Sequence, residues 1–317
     1  MSKHVPNPLP DLPRPTKAYH KTAYPYISPD RPELSVKGKT LFITGGGGGI
    51  GRNVAKAFAQ AGIDRIIILG RTLETLSQVK TEIESSHPQT EVEVYAADVT
   101  DNEAIKRIVH AVGKIDILVS AAAICHLTQP TSTVDPAELS EILQINTVGP
   151  FQIISAVLHE RAIQGWDHEL KVIYVSSALS HTHICHLSGY AASKAAMNLL
   201  VMHLNMQWNS RGVSIFAVHP GLIYTTLTGK VFPPDSPIWE DVSLCSGFCV
   251  WLCHPEAAFL SGKVLWAQWD VPELLAKKEW IEKYPWHLEI GLNLPTTERP
   301  TEDFFVVDTR KTVVNGH

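Results

Sequence analysis

The chain has 317 residues, 44% of them hydrophobic, and a formal net charge of -5. That length and apolar content suit one large α/β domain or two small ones, and the mild acidity leaves no electrostatic footprint for nucleic acid. No window approaches the roughly 20 apolar residues of a membrane span, the first residues lack the apolar stretch of a secretion signal, and five cysteines do not read as a disulfide framework, so a soluble, cytoplasmic protein is expected.

Residues 1–36 carry eight prolines and little periodicity, as an irregular arm would, either lying on the domain or mobile. From Lys37 the pattern changes. "KTLFIT" supplies Leu41, Phe42 and Ile43, a run long enough for a buried strand. After it, Ile50, Val54, Ala57, Phe58 and Ala61 recur at helical steps, closed by Gly62. Between them lies "TGGGGGIG", Thr44 to Gly51. A strand-to-helix turn of this kind aims free N–H groups and the positive end of the helix dipole at one spot, which suits a diphosphate. Glycine-rich loops without a ligand look much the same, so the turn alone decides nothing.

The second strand, "RIIIL" (Arg65 to Leu69), runs into Gly70 and Arg71. Dinucleotide folds often place an acid here to hold the ribose 2′-hydroxyl. Glycine followed by a guanidinium favours a 2′-phosphate, hence NADP over NAD, although a solvated arginine opening a helix would look the same. "VEVYA" (92–96) leads to Asp98 and Val99, placed at a strand end where an adenine edge could be read. "IDILVS" (115–120), "KVIYVS" (171–176), "SIFAV" (214–218) and "KVLWA" (263–267) complete the strands. Their alternation with helix-length segments implies βαβ units and a doubly wound parallel sheet of the Rossmann type, with ligands outside the carboxyl ends of the strands.

"SGYAASKAAM" sets Tyr190 and Lys194 four residues apart, one face of a helix, where an ammonium would lower the phenol pKa. Ser177 ends a strand thirteen residues before Tyr190, Asn146 lies on the preceding long helix, and "HPGLIYTTL" brings Pro220, Gly221 and Thr225 after the sixth strand. In this order and spacing the chain closely resembles the short-chain dehydrogenase/reductase family, single-domain branch, from about Lys37 to Asp270 (37–270). The resemblance implies that Tyr190 is the general acid or base, that Lys194 holds the nicotinamide ribose, that Ser177 positions the carbonyl oxygen and that Asn146 holds a relay water. It further implies cofactor contacts at Thr44, Gly45, Gly49, Ile50, Gly51, Arg71, Asp98, Val99, Ala121, Pro220, Gly221 and Thr225, beside Tyr190 and Lys194. The cofactor would supply the hydride.

One stretch departs from the family. "SAAA" (Ser120 to Ala123) stands where the family usually has "NNAG", so a looser or reshaped cofactor edge is expected. Cys245, Cys249, Cys253 and His254 invite a metal, but a helix separates the first and last thiols by about 12 Å, too far for one zinc; a helix face of small thiols is expected and no metal. His181, His183 and His186 fit either a substrate contact or an exposed loop. Phe232, Ile238, Trp239, Phe248 and Trp251 suggest an apolar cover for a hydrophobic substrate, core, or a subunit interface. Residues 271–317, with Trp280, Tyr284 and Trp286, read as a packed aromatic extension, similar to fungal members of the family that act on secondary metabolites. The expected function is NADP-dependent interconversion of a ketone and a secondary alcohol. The alternatives are non-redox chemistry on the same scaffold and an NADP-sensing interaction protein. A homodimer or homotetramer would follow from the resemblance, and neither a nucleic acid nor a membrane is an expected partner.

Overall fold

The computed structural model describes residues 15–126, 130–182, 186–230 and 233–291. Seven parallel strands form one sheet: β1 Thr40–Thr44, β2 Arg65–Gly70, β3 Glu91–Ala96, β4 Ile117–Ser120, β5 Leu170–Val175, β6 Val213–His219 and β7 Val264–Trp266. Their order is β3-β2-β1-β4-β5-β6-β7. β1 is therefore the strand from which the chain winds outward in both directions. Thr44 at its end pairs with Leu69 on one side and Ser120 on the other. A crevice opens where strand order reverses, so the end of β1 is where a ligand is expected.

The strands are apolar on both faces because helices cover both. One layer of core joins Ile43, Val54, Phe58, Ile68 and Phe216 to Phe248 and Trp251; the other joins Phe42, Leu69, Leu118, Ile153, Tyr174 and Met197. The helices are α1 Gly49–Gln60, α2 Leu73–Ser86, α3 Asn102–Val112, α4 Pro136–Leu143, α5 Gly149–Ile163, α6 Ser188–Trp208, α7 Val242–Trp251, α8 Val271–Ala276 and α9 Lys278–Lys283. Asp101, Asp135, Asp241 and Asp270 cap α3, α4, α7 and α8 by accepting a backbone N–H. Between α4 and α5 the helix widens into a π-helical turn, Gln144–Val148. Asn146 lies on this long helical stretch, as the sequence reading has it, and within it occupies the widened turn, a feature that recurs at functional sites.

Of the proline-rich arm, residues 15–36 lie on the domain. Ile27 is fully buried, and its carbonyl comes so close to Gly247 of α7 that a β-carbon there would lie 2.5 Å away. Lys21 and Ala23 reach the start of the same helix: the Asp241 N–H donates to the Lys21 carbonyl and the Ala23 N–H to Ser243 Oγ. Tyr19 meets Trp266 and Trp269, and those two indoles stack at 6.2 Å between centroids. At the other end of the chain, Ile281 of α9 is buried and Leu274 of α8 joins the core.

Candidate active site

The glycine-rich turn is shaped by close backbone approaches. Gly45 (φ 68°) passes so near Ala122 that a β-carbon would lie 2.8 Å from its nitrogen. A β-carbon on Gly51 would sit 2.4 Å from the Gly45 carbonyl oxygen, which is backbone and cannot yield. Gly49 (φ 50°) starts α1 beneath the Thr225 side chain, 3.3 Å from where its β-carbon would be. Gly48, the residue before the helix, has open space around it and caps α1 without a side chain. The first N–H groups of α1 thus face a free volume, a fit for an anionic diphosphate. Replacing Gly51 with alanine is expected to cost about 1–3 kcal/mol by overpacking and to weaken binding of a dinucleotide by more than about tenfold. Urea unfolding and a fluorescence titration with NADPH check both.

From this turn a cavity of about 450 Å³ runs along the carboxyl ends of the strands. Gly45, Gly49, Ile50 and Gly51 line one end, with Arg71, Asp98 and Val99 beside them. Ala121, Ser177, Tyr190, Lys194, Pro220 and Gly221 line the rest, and Thr225 reaches over to Gly49. Of the expected catalytic and cofactor-binding residues, Thr44 and Asn146 lie behind the wall. Arg71 is exposed. No acid stands at the end of β2, where Gly70 leaves the space. Asp98 is held below the ordinary carboxylate range, first by the Thr100 hydroxyl and also by the Thr100 N–H and the nearby Arg71 charge.

At the far end α6 puts Tyr190 and Lys194 one turn apart. Tyr190 and Ser177 line the same stretch of the cavity, and the Ser177 hydroxyl lies near enough to the phenol to favour its ionised form. Ser177 Oγ also accepts the Leu179 N–H at 3.2 Å, which fixes its rotamer. Lys194 is buried and donates to the Val175 carbonyl at 2.8 Å, with its nitrogen 5.6 Å from the centre of the Tyr190 ring. The titration behaviour corrects the sequence expectation. Burial pushes the Tyr190 phenol well above its usual value, with Cys125 adding and Ser177 opposing, and burial pulls Lys194 down to about 7. An ammonium tied to a strand carbonyl does not reverse the cost of burying a phenolate. At neutral pH Tyr190 therefore holds its proton.

The "SAAA" edge is held more firmly than expected. Thr44 Oγ1 accepts the N–H groups of Ala121 and Ala122. Asn146 clamps the next residue at both ends of its peptide group: the Ile124 N–H donates to Oδ1 at 2.9 Å, and Nδ2 donates to the Ile124 carbonyl at 2.8 Å. Nδ2 also reaches Ser193 Oγ. Side chains from β1 and the π-helical turn thus supply ties that asparagines on the strand itself would otherwise give. Both heteroatoms of the Asn146 side-chain amide are bonded to protein groups, and its main-chain oxygen accepts from the Tyr174 hydroxyl at 3.2 Å.

His181 is partly buried and does not line the cavity. Trp266 Nε1 donates to its Nε2 at 3.0 Å, which leaves Nδ1 to donate to Ser180 Oγ at 2.8 Å. Ser180 in turn donates to the Ser177 carbonyl, so this chain of bonds braces Ser177. Burial lowers the His181 pKa to about 4 and that of His219 to about 3. Both lie below the ordinary value of about 6.5, so between that value and about 4 the unfolded chain binds more protons than the folded one. Stability is expected to fall as pH drops through that window. His181→Gln is expected to flatten the dependence, measured as urea midpoints at pH values of about 7 and 5. His186 is exposed, and His183 and Phe232 lie outside the described residues.

Cys245 and Cys249 are buried on α7 and Cys253 just beyond it, beside Phe248 and Leu252. Among the described residues no three metal-ligating side chains gather. Trp239 does line the cavity, with Leu222 and Leu227, whereas Phe248 and Trp251 belong to the core. Cys125, Leu187 and Tyr174 were missed by sequence reasoning. Cys125 and Leu187 sit in segments without periodicity, and Tyr174 reads as one more apolar strand residue.

Comparison with known proteins agrees with this geometry. Residues 39–236 match the family model of the short chain dehydrogenases. A short chain dehydrogenase/reductase of Claviceps purpurea is 37% identical over 285 residues, 89% of this chain and 96% of that protein. Short chain dehydrogenase/reductase AacuD of Aspergillus aculeatus is 35% identical over 88% of this chain and 96% of its own length. Among solved structures, a putative NAD(P) dependent gluconate 5-dehydrogenase from Beutenbergia cavernae with bound NADP superposes with a TM-score of 0.68 at 27% identity, covering 74% of this chain and 97% of that one.

Proposed function

The chain belongs to the short-chain dehydrogenase/reductase family, and from that premise we propose that it is an NADP-dependent reductase of a ketone on a hydrophobic small molecule. The observation that carries the reading is that Ser177, Tyr190 and Lys194 line the same cavity as the glycine-rich turn at the N-terminus of α1. When bound, the nicotinamide cofactor supplies the hydride. Arg71 and the N-terminus of α1 hold its phosphates; Lys194 holds ribose hydroxyls. Ser177 donates to the carbonyl oxygen of the substrate and Tyr190 transfers its proton to that oxygen as charge develops there.

Apolar walls at the substrate end, with Ile124, Leu179, Leu187, Leu222 and Trp239, favour a hydrophobic substrate. Relatives from filamentous fungi point the proposal toward secondary-metabolite biosynthesis. Among the described residues no helix is long and apolar enough to cross a membrane, in keeping with a cytoplasmic enzyme. Exposed Val148 and Phe151 near the start of α5, and Leu199 and Met206 on α6, suit pairing into a homodimer or homotetramer. The direct test follows NADPH oxidation by absorbance against a panel of hydrophobic ketones, beside NADH. Turnover with NADPH supports the reading; tight NADPH binding without reduction of any panel member overturns it in favour of a non-redox or sensing role.

A further inference from the structure

Tyr174 presents itself in the sequence as ordinary core. It is fully buried on β5, a strand with every residue buried. Burying a phenol costs more than burying a hydrocarbon of similar size unless the hydroxyl finds a partner. Here the partner is the main-chain oxygen of Asn146, inside the π-helical turn. The ring has a second task. Lys194 Nζ lies 4.8 Å from its centroid, closer than the 5.6 Å to the Tyr190 ring, while donating to the carbonyl of the next strand residue, Val175. One side chain therefore touches both Lys194 of α6 and Asn146 of the widened turn. The same Asn146 clamps Ile124, the residue that follows the Ala121–Ala123 edge.

We propose that Tyr174 is a positioning residue of the catalytic site, its ring seating the Lys194 ammonium and its hydroxyl fixing the π-helical turn that carries Asn146. The proposal rests on the reading of Tyr190 and Lys194 as the reactive pair. The negative face of the ring favours the charged lysine, against the burial that lowers its pKa to about 7. The other titratable groups facing Lys194 are Tyr190 on α6 and Cys125 after β4. Loss of the ring is therefore expected to move the lysine titration to lower pH, and loss of the hydroxyl alone is not.

Two variants separate the tasks, with Tyr190→Phe run beside them. Tyr174→Phe is expected to keep the NADPH Kd within about twofold, with an unchanged pH midpoint, and to lower kcat by about tenfold at constant KM, the size of one lost positioning hydrogen bond. Tyr174→Leu is expected to weaken NADPH binding by about tenfold and to shift the midpoint of its pH dependence down by about one unit. Binding is followed by NADPH fluorescence without substrate. Wild-type kcat in the phenylalanine variant together with a wild-type midpoint in the leucine variant would overturn the proposal, even if both melt earlier, because that is a purely structural role. Should the leucine variant not fold, the kcat-against-KM split in Tyr174→Phe decides alone. Retained turnover in Tyr190→Phe defeats the catalytic reading instead, and the binding midpoint still reports whether Tyr174 seats Lys194.

Discussion

Tyr190→Phe is expected to lower ketone reduction by about a thousandfold, within the range that general acid catalysis contributes, while NADPH binding stays within about twofold. The change removes one oxygen and leaves the ring. Lys194, 5.6 Å from the ring centre and tied to the Val175 carbonyl, does not depend on that oxygen for its place. Ser177 keeps the Leu179 N–H that orients it. The loss therefore falls on the proton delivered in the transition state and leaves the cofactor site standing. Single-turnover rates with a reducible ketone, measured beside a fluorescence titration, separate the two quantities. A variant that reduces the ketone at the wild-type rate would assign the proton to another group.

Cofactor choice should turn on Arg71. Replacing it with alanine is expected to raise the NADPH Kd about 10- to 100-fold, since a hydrogen bond to a charged group is worth about 1.5–3 kcal/mol, and to leave NADH binding nearly unchanged. The exposed guanidinium lines the cavity beside Asp98 and has no acid from the end of β2 to compete with a phosphate. Gly70→Asp together with Arg71→Ala is expected to invert the preference. The new β-carbon would meet only the Leu76 side chain, at 3.2 Å, and that side chain can shift. The carboxylate would then repel a 2′-phosphate and accept from a free ribose hydroxyl. Equal loss of NADPH and NADH affinity in Arg71→Ala would show instead that Arg71 holds a feature common to both.

The sequence by itself determined the sheet, the glycine-rich turn and the Tyr190 and Lys194 pair, because each depends on residues adjacent in the chain. Apolar runs spaced by helix-length segments specify parallel strands. A four-residue interval on α6 brings two side chains to one face whatever surrounds them. The close approach of Gly51 to Gly45 is likewise local, and the glycine run announced it.

What only the tertiary structure decided are contacts between distant segments. Asn146 reaches Ile124 across 22 residues and Trp266 reaches His181 across 85. No spacing rule relates such pairs, so the firmness of the "SAAA" edge and the bracing role of His181 were not legible. The titration of Tyr190 is of the same kind. Neighbours in sequence supplied the ammonium, but how far the fold buries the phenol sets the balance, and burial is a property of the whole packed core. Tyr174 shows the limit most plainly: a strand pattern tells that it faces inward, and only the folded chain shows that a lysine and a widened helix turn wait there.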